Sequence, residues 1–493
     1  MAGIGFTLKK LFKEEFFTTR LKAYMYSSIV AAGPWIAAVL TVNILLFMAE
    51  YYFNDISQKD LFMGTIVYSF VFSQIITAPW QLLITRYISD KLYIKDYNYI
   101  KSSFIGLSRL VFIITYIVGF IYYYKNQLPL YYRFMGLSLF VFISLIWIIM
   151  VYLSAIKNYS IISYAYIIGG IISVILSFIF VNYPLQFKEY PIASGLLLAY
   201  LIGIIVTYSI LLYSFFSTFY VSNNKEYDFI RYLSKFYNLF YIGLFYTLGL
   251  WIDDILMWYS PLGVDIYETY KYAPLYDNAV FLAYLTVIPT MILFMVSIET
   301  EFYDMYKKYY TFSMGSGTYD DIEVARKQMQ KSVYKQVVYT METQTIISLT
   351  LIIISGKIFS YLEIPIIIRD IFRIAALGAL CNIFILIIIL ILLYFESRKF
   401  ALIIASLFML LNGVFTLYFI PRGIEFYGFG YFVGSFITLA VAIVIMVRFL
   451  KDINYYTFGK QPVFIAKEKG IFVNIADYMN FLSNNFENKY KKR

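Results

Sequence analysis

The sequence predicts an all-α polytopic membrane protein, with about twelve transmembrane helices grouped six and six. Three observations carry that expectation. Roughly a dozen apolar stretches of about twenty residues run through the chain, each long enough to cross a hydrocarbon core of about 30 Å. The composition is 61% hydrophobic and only 14% charged, with a mean hydropathy of +0.71, more apolar surface than a water-facing fold can cover. The basic residues also fall mainly on alternate loops.

Taken in order, residues 1–23 form the first element. Ile4, Leu8, Leu11, Phe12 and Phe16 fall near one helical face and Lys9, Lys10 and Lys13 on the other, the pattern of an interfacial helix. Spans follow at 24–49, 61–85, 103–124, 133–156, 161–182 and 192–219, an N-terminal lobe over 24–219. An inner segment, 220–236, leads to spans at 237–259, 277–298, 344–362, 369–394, 400–420 and 429–450, a C-terminal lobe over 237–450. A loop at 299–343 and a tail at 451–493 complete the chain. With the N-terminus inside, roughly thirty Lys and Arg lie on the inner side against nine outside, which places both termini and the 299–343 loop in the cytoplasm. Within that loop, Gly315-Ser316-Gly317 could cradle a phosphate. A turn followed by an N-cap at Thr318, with Asp320 and Asp321 in the first turn of an amphipathic helix over 319–338, is the simpler reading. The tail ends in Lys491, Lys492 and Arg493; docking on a partner and fraying both fit it.

Composition also excludes. The chain has no histidine and one cysteine, Cys381, inside an apolar run. A Ser-His-Asp relay, an imidazole metal site and a disulfide framework are therefore out of reach, and no P-loop motif occurs. The expectation is a protein without catalysis, metal or cofactor. The net charge of +10 is spread over all inner loops, which fits topology and anionic lipid, not nucleic acid.

Polar residues inside the spans are the candidate functional positions. Pro34, Pro79 and Pro289 each sit in a span, where proline frees a carbonyl and kinks the helix. Arg109, about two turns into span three, and Asp253 and Asp254, in the outer third of span seven, are charges within apolar runs. Each costs about 2.5–3.5 kcal/mol at a helix centre. Their depths differ by roughly 15 Å, so they do not pair with each other, and each needs water, substrate or another partner. For the aspartates, the alternative is a helix that ends early in the outer headgroup layer. Of 52 tyrosines, many suit aromatic belts, but Tyr68, Tyr246 and Tyr284 lie within spans, where their rings and hydroxyls suit a sugar. Arg109, Asp253, Asp254 and Tyr284 are accordingly the expected transport-pathway residues.

Several stretches are recognisable. The chain opens M-A-G-I-G-F, reads S-S-I-V-A-A-G-P-W-I at 27–36, L-L-I-T-R-Y-I-S-D-K-L-Y at 82–93 and W-I-D-D at 251–254. The longest stretch is Y-D-N-A-V-F-L-A-Y-L-T-V-I-P-T-M-I-L-F-M-V-S-I-E-T-E-F at 276–302. Together they resemble the PelG family, export subunits of the Pel exopolysaccharide system, which is similar to the multidrug/oligosaccharidyl-lipid/polysaccharide (MOP) exporters. Asp254 stands where the family suggests a basic residue. The resemblance implies two six-helix lobes of MOP/MATE type in the bacterial cytoplasmic membrane. It implies export of an N-acetylgalactosamine-rich polymer for biofilm matrix, beside a cytoplasmic glycosyltransferase and membrane scaffold subunits. It also marks Arg86, Asp90, Glu299 and Glu301 as cytoplasmic motif residues. A flippase for lipid-linked oligosaccharide, a small-molecule antiporter and a non-conducting scaffold for the glycosyltransferase are the competing readings.

Overall fold

The structure, a computed structural model, describes residues 17–52, 56–155, 159–182, 187, 189–297, 302–459 and 470–491. Among these are 12 helices long and apolar enough to cross a membrane, as the composition predicts. The first six spans are α1 (Phe17–Tyr52), α2 (Ile56–Tyr93), α3 (Asn98–Tyr124), α4 (Leu130–Ala155), α5 (Tyr159–Asn182) and α6 (Pro191–Thr218). A 3₁₀ turn, Asp228–Arg231, leads into α7 (Tyr232–Trp258), and a short hairpin, β1 (Val264–Ile266) with β2 (Tyr270–Tyr272), follows it. Then come α8 (Pro274–Leu285), α9 (Ile288–Ser297), α10 (Tyr303–Thr311), α11 (Tyr319–Tyr361), α12 (Ile366–Tyr394), α13 (Arg398–Phe419), α14 (Phe429–Lys451) and α15 (Ile471–Lys491). Residues 1–16, most of the expected interfacial helix, lie outside the described residues, as do Glu299 and Glu301.

Four features depart from the sequence reading. The 299–343 loop is largely helical, because α11 runs unbroken from Tyr319 to Tyr361 as 43 residues. Nothing between Val338 and Gln344 is Gly or Pro, so the amphipathic helix has no reason to stop before span nine. Its N-terminus is the expected cap: Thr318 and Asp321 satisfy each other's backbone N–H in a capping box. Span eight is two helices, α8 and α9, with Pro289 in the first turn of α9, where a missing N–H costs nothing. Pro34 and Pro79 lie inside α1 and α2, which continue past them. The tail contains a 21-residue helix, α15, and the loop after span seven contains the hairpin, with Val264 opposite Tyr272.

The chain divides into two compact units. The first comprises residues 33–251, 264–272 and the described part of 464–493. Its interior lies around α4, which buries Leu139, Ile143, Ile146 and Ile149 along one run, and along the α5–α6 seam. There a Cβ on Gly203 would lie 1.9 Å from the Ser173 hydroxyl, so only glycine lets the two backbones come this close. The hairpin sits on this unit through tyrosines: Tyr68 donates to the Lys271 carbonyl at 2.8 Å, and the Tyr123 and Tyr270 hydroxyls lie 2.7 Å apart.

The second unit comprises 252–263, 273–463 and the described part of 1–32. Its centre is α12, uncharged from Ile374 to Tyr394 and buried over most of that length, as expected of a helix enclosed by others. Helix α11 follows it with a single buried stripe, Ala325, Met329, Val333, Val337, Thr340, Gln344 and Ser348, that crosses from its polar half into its apolar half.

Candidate functional site

Within the second unit, the polar residues of three spans meet. Asp253 and Asp254 lie one turn before the end of α7, and the helix continues beyond them to Trp258. Both are buried, at 0% and 4% exposure. Asp253 is fully engaged: the Tyr276 hydroxyl of α8 donates to Oδ2 at 2.8 Å, and the Asn412 amide of α13 donates to Oδ1 at 2.9 Å. Thr416, one turn further along α13, donates to the Asn412 carbonyl oxygen at 3.3 Å, which fixes the amide with its NH₂ toward the carboxylate.

Close approach of helices makes this arrangement possible. A Cβ on Gly434 of α14 would lie 2.7 Å from the Asn412 backbone nitrogen, and one on Gly430 would lie 2.4 Å from the Thr416 Cα. Helix α14 therefore lies flat against the stretch of α13 that carries Asn412 and Thr416, meeting the Asn412 backbone at Gly434 and both the backbone and the hydroxyl of Thr416 at Gly430.

Asp254 is different. Neither of its carboxyl oxygens has a hydrogen-bond partner among the described residues. The groups acting on it electrostatically are two further carboxyls, Asp253 and Asp277. Asp277, in the first turn of α8, accepts from the Trp258 indole at 3.1 Å and from the Ala273 backbone N–H at 3.2 Å. Tyr284, two turns along from Asp277, has its ring 6.0 Å from that of Tyr431 on α14. No group of three or more His, Cys, Asp or Glu among the described residues is arranged to hold a metal ion.

Arg109 belongs to a separate cluster, in the first unit. It pairs with Glu226 of the segment after α6, and its guanidinium also reaches Ser483 of α15 at 3.5 Å. Glu226 is buried, whereas the Arg109 side chain is half exposed. The partner that the sequence reading asks of Arg109 is thus a residue outside the spans. Burial, with Glu226 beside it, pushes the neighbouring Tyr227 phenol above its ordinary range, and Arg109 opposes the rise.

The motif residues at the end of α2 hold the same segment. Arg86 and Asp90 form an ion pair at 3.2 Å one turn apart, and the Tyr232 hydroxyl donates to Asp90 at 3.1 Å. Lys91 lies 3.4 Å from Asp228, which also accepts from the Tyr87 hydroxyl at 3.3 Å. These side chains fasten the start of span seven to the end of span two.

Sequence reasoning missed Asn412, Tyr276, Asp277 and Glu226. Asn412 and Asp277 had a readable signal, since a polar amide or a carboxylate in an apolar run costs energy on insertion, as for Asp253, whereas Tyr276 was one tyrosine among 52. Glu226 had none, being one acid in a polar segment.

Comparison with known proteins places this geometry. The family model PelG, exopolysaccharide exporter (EPS-E), matches residues 1–458. No curated protein sequence matches the chain. Among solved structures, an outward-facing multidrug resistance MATE family transporter of the MOP superfamily superposes with a TM-score of 0.62 at 12% identity. That match covers 88% of this chain and 96% of the other. A MOP superfamily transporter from Pyrococcus furiosus gives a TM-score of 0.58 at 11% identity over 88% and 96%. The Vibrio cholerae MATE transporter VcmN in its bent form gives 0.57 at 11% over 92% and 99%. At such identities the likeness is one of fold.

Proposed function

The chain belongs to the PelG family of exopolysaccharide exporters, and from that premise we propose that it passes an N-acetylgalactosamine-rich polymer outward across the bacterial cytoplasmic membrane. The polymer comes from a cytoplasmic glycosyltransferase, held beside the exporter by membrane scaffold subunits. Both termini are cytoplasmic in this reading, in keeping with the excess of basic residues on that side.

The observation that carries the reading is the Asp254 carboxyl, buried inside an apolar span with neither oxygen hydrogen-bonded among the described residues. A chain that only had to cross the bilayer gains nothing from such a group, which costs about 2.5–3.5 kcal/mol at depth on insertion scales. A group held in that way can take up and release a proton or a monovalent cation as the transporter cycles. Asp253, fixed by Tyr276 and Asn412, is the stationary member of the pair, and Asp254 the one free to change its state. Tyr284, on the neighbouring helix, offers a ring and a hydroxyl of the kind sugars use. The work is transport and not chemistry: no nucleophile–base pair is recognisable in a chain without histidine.

The test is reconstitution. Vesicles holding this chain and the glycosyltransferase, supplied with sugar nucleotide on the synthase side, should deliver polymer to the far side. Vesicles holding the synthase alone should make polymer and retain it. Equal delivery from the two preparations, or normal secretion by cells lacking the protein, would overturn the reading.

A further inference from the structure

Helix α15 is amphipathic, and it is docked by the side that carries its hydrogen-bonding and charged contacts. Val473, Ala476 and Asn480 are buried along one face. From that side Asn480 accepts from the Tyr227 backbone N–H at 2.8 Å, Ser483 donates to Glu226 at 2.7 Å, and Asp477 pairs with Arg231. The opposite face carries Ile471, Ile475, Tyr478 and Leu482 at helical spacing, and all four are exposed, Ile471 at 76% and Tyr478 at 63%. A helix that spends its polar groups on its own protein and turns its apolar face away needs something apolar to cover it.

Two observations identify the cover. The first is position: Ser483 lies 3.5 Å from Arg109 of α3. On α3, Arg109 begins an exposed stripe that continues as Phe112, Ile113 and Tyr116, one and two turns further into the span. An exposed apolar stripe of this kind on a transmembrane helix suits lipid, and α15 lies where that stripe of span three meets its polar end. The second is charge: residues 489–493 include Lys489, Lys491, Lys492 and Arg493, a basic cluster of the kind drawn to anionic headgroups.

We propose that α15 is an in-plane membrane anchor. Its apolar face enters the headgroup–acyl boundary of an anionic leaflet, and its polar face clamps the segment 226–231 that leads into span seven. On the orientation proposed above, that leaflet is the cytoplasmic one, but the lipid contact itself does not depend on orientation or on what the protein exports.

The experiment uses the full chain with Cys381→Ser and one cysteine at Ile475, Leu482 or, as a water-facing control, Ser316. Each is labelled with an environment-sensitive fluorophore and reconstituted in vesicles of phosphatidylcholine, with or without phosphatidylglycerol. A nitroxide-bearing phospholipid should quench roughly half the emission at 475 and 482 and little at 316, with aqueous iodide showing the reverse order. Lipid quenching should be stronger when phosphatidylglycerol is present. Quenching by iodide at all three positions would put the face in water and overturn the proposal. Protection from both quenchers at 475 and 482 would mean a protein surface, a second copy or another chain, and would overturn it as well. Equal lipid quenching in the two vesicle types would overturn the assignment to anionic lipid.

Discussion

The side-chain amide of Asn412 donates to Oδ1 of Asp253 at 2.9 Å, tying α13 to α7 across 159 residues of sequence. With Tyr276 on the other oxygen, the bond holds a buried carboxylate that would otherwise be left partly unsatisfied. Asn412→Leu removes the donor at similar volume. The expected result is a destabilisation of about 1–3 kcal/mol, read as a fall in thermal midpoint of the purified protein. A midpoint unchanged from wild type would mean that Asp253 does not depend on this bond.

Asp254 should behave in the opposite way. Having no hydrogen-bond partner among the described residues, it loses nothing in stability on becoming asparagine, and removal of a buried charge gains about 1 kcal/mol or more. Export should nevertheless be lost in Asp254→Asn, at normal expression and with a thermal midpoint at or above that of the wild type. Retained secretion would remove Asp254 from the transport cycle. Arg109→Gln is the parallel variant, and there only a weak effect on secretion and stability is expected. The arginine side chain is half exposed, and buried Glu226 keeps the Ser483 hydroxyl as a donor at 2.7 Å when the arginine is replaced.

Topology can be read with single cysteines in a Cys381→Ser background, labelled on intact cells by an impermeant reagent. Lys125 follows α3 and is exposed, and Ser222 and Ser316 are exposed on segments expected to lie inside. Only the cysteine at 125 should react. Reaction at 316 would invert the map.

Glu363 is the residue that ends α11, with φ at +54° and the following Ile364 N–H bonded back to the Phe359 carbonyl at 2.9 Å. That is a Schellman ending, whose left-handed position favours glycine. Glu363→Gly should therefore raise stability by about 1 kcal/mol, measured as an increase in thermal midpoint without change in secretion.

The twelve spans were legible because crossing a bilayer demands length and hydropathy, and both are local properties of sequence. So was the Thr318 cap, since a capping box involves residues only three apart. What stayed hidden depends on distant pairing. Glu226 is an ordinary loop acid until the fold brings it to Arg109, and Asn412 is one amide until Gly430 and Gly434 let α14 settle against its backbone. The hairpin at 264–272 was missed for a different reason: its strands are three residues each, too short for any alternation to register. Asp253 and Asp254 stand out in the sequence as charges within an apolar run, but their difference does not, because adjacent residues of identical chemistry are separated only by what surrounds them.

Helix α11 has a mechanical consequence. Forty-three residues at 1.5 Å each make a rod about 64 Å long, roughly twice the thickness of the hydrocarbon layer. About half of its length therefore exceeds what the hydrocarbon layer holds, and neither glycine nor proline interrupts the rod between Tyr319 and Ser355. A rod without a joint cannot absorb a push locally. A displacement of either end is therefore carried to the other, as a tilt of the whole helix and not as a bend.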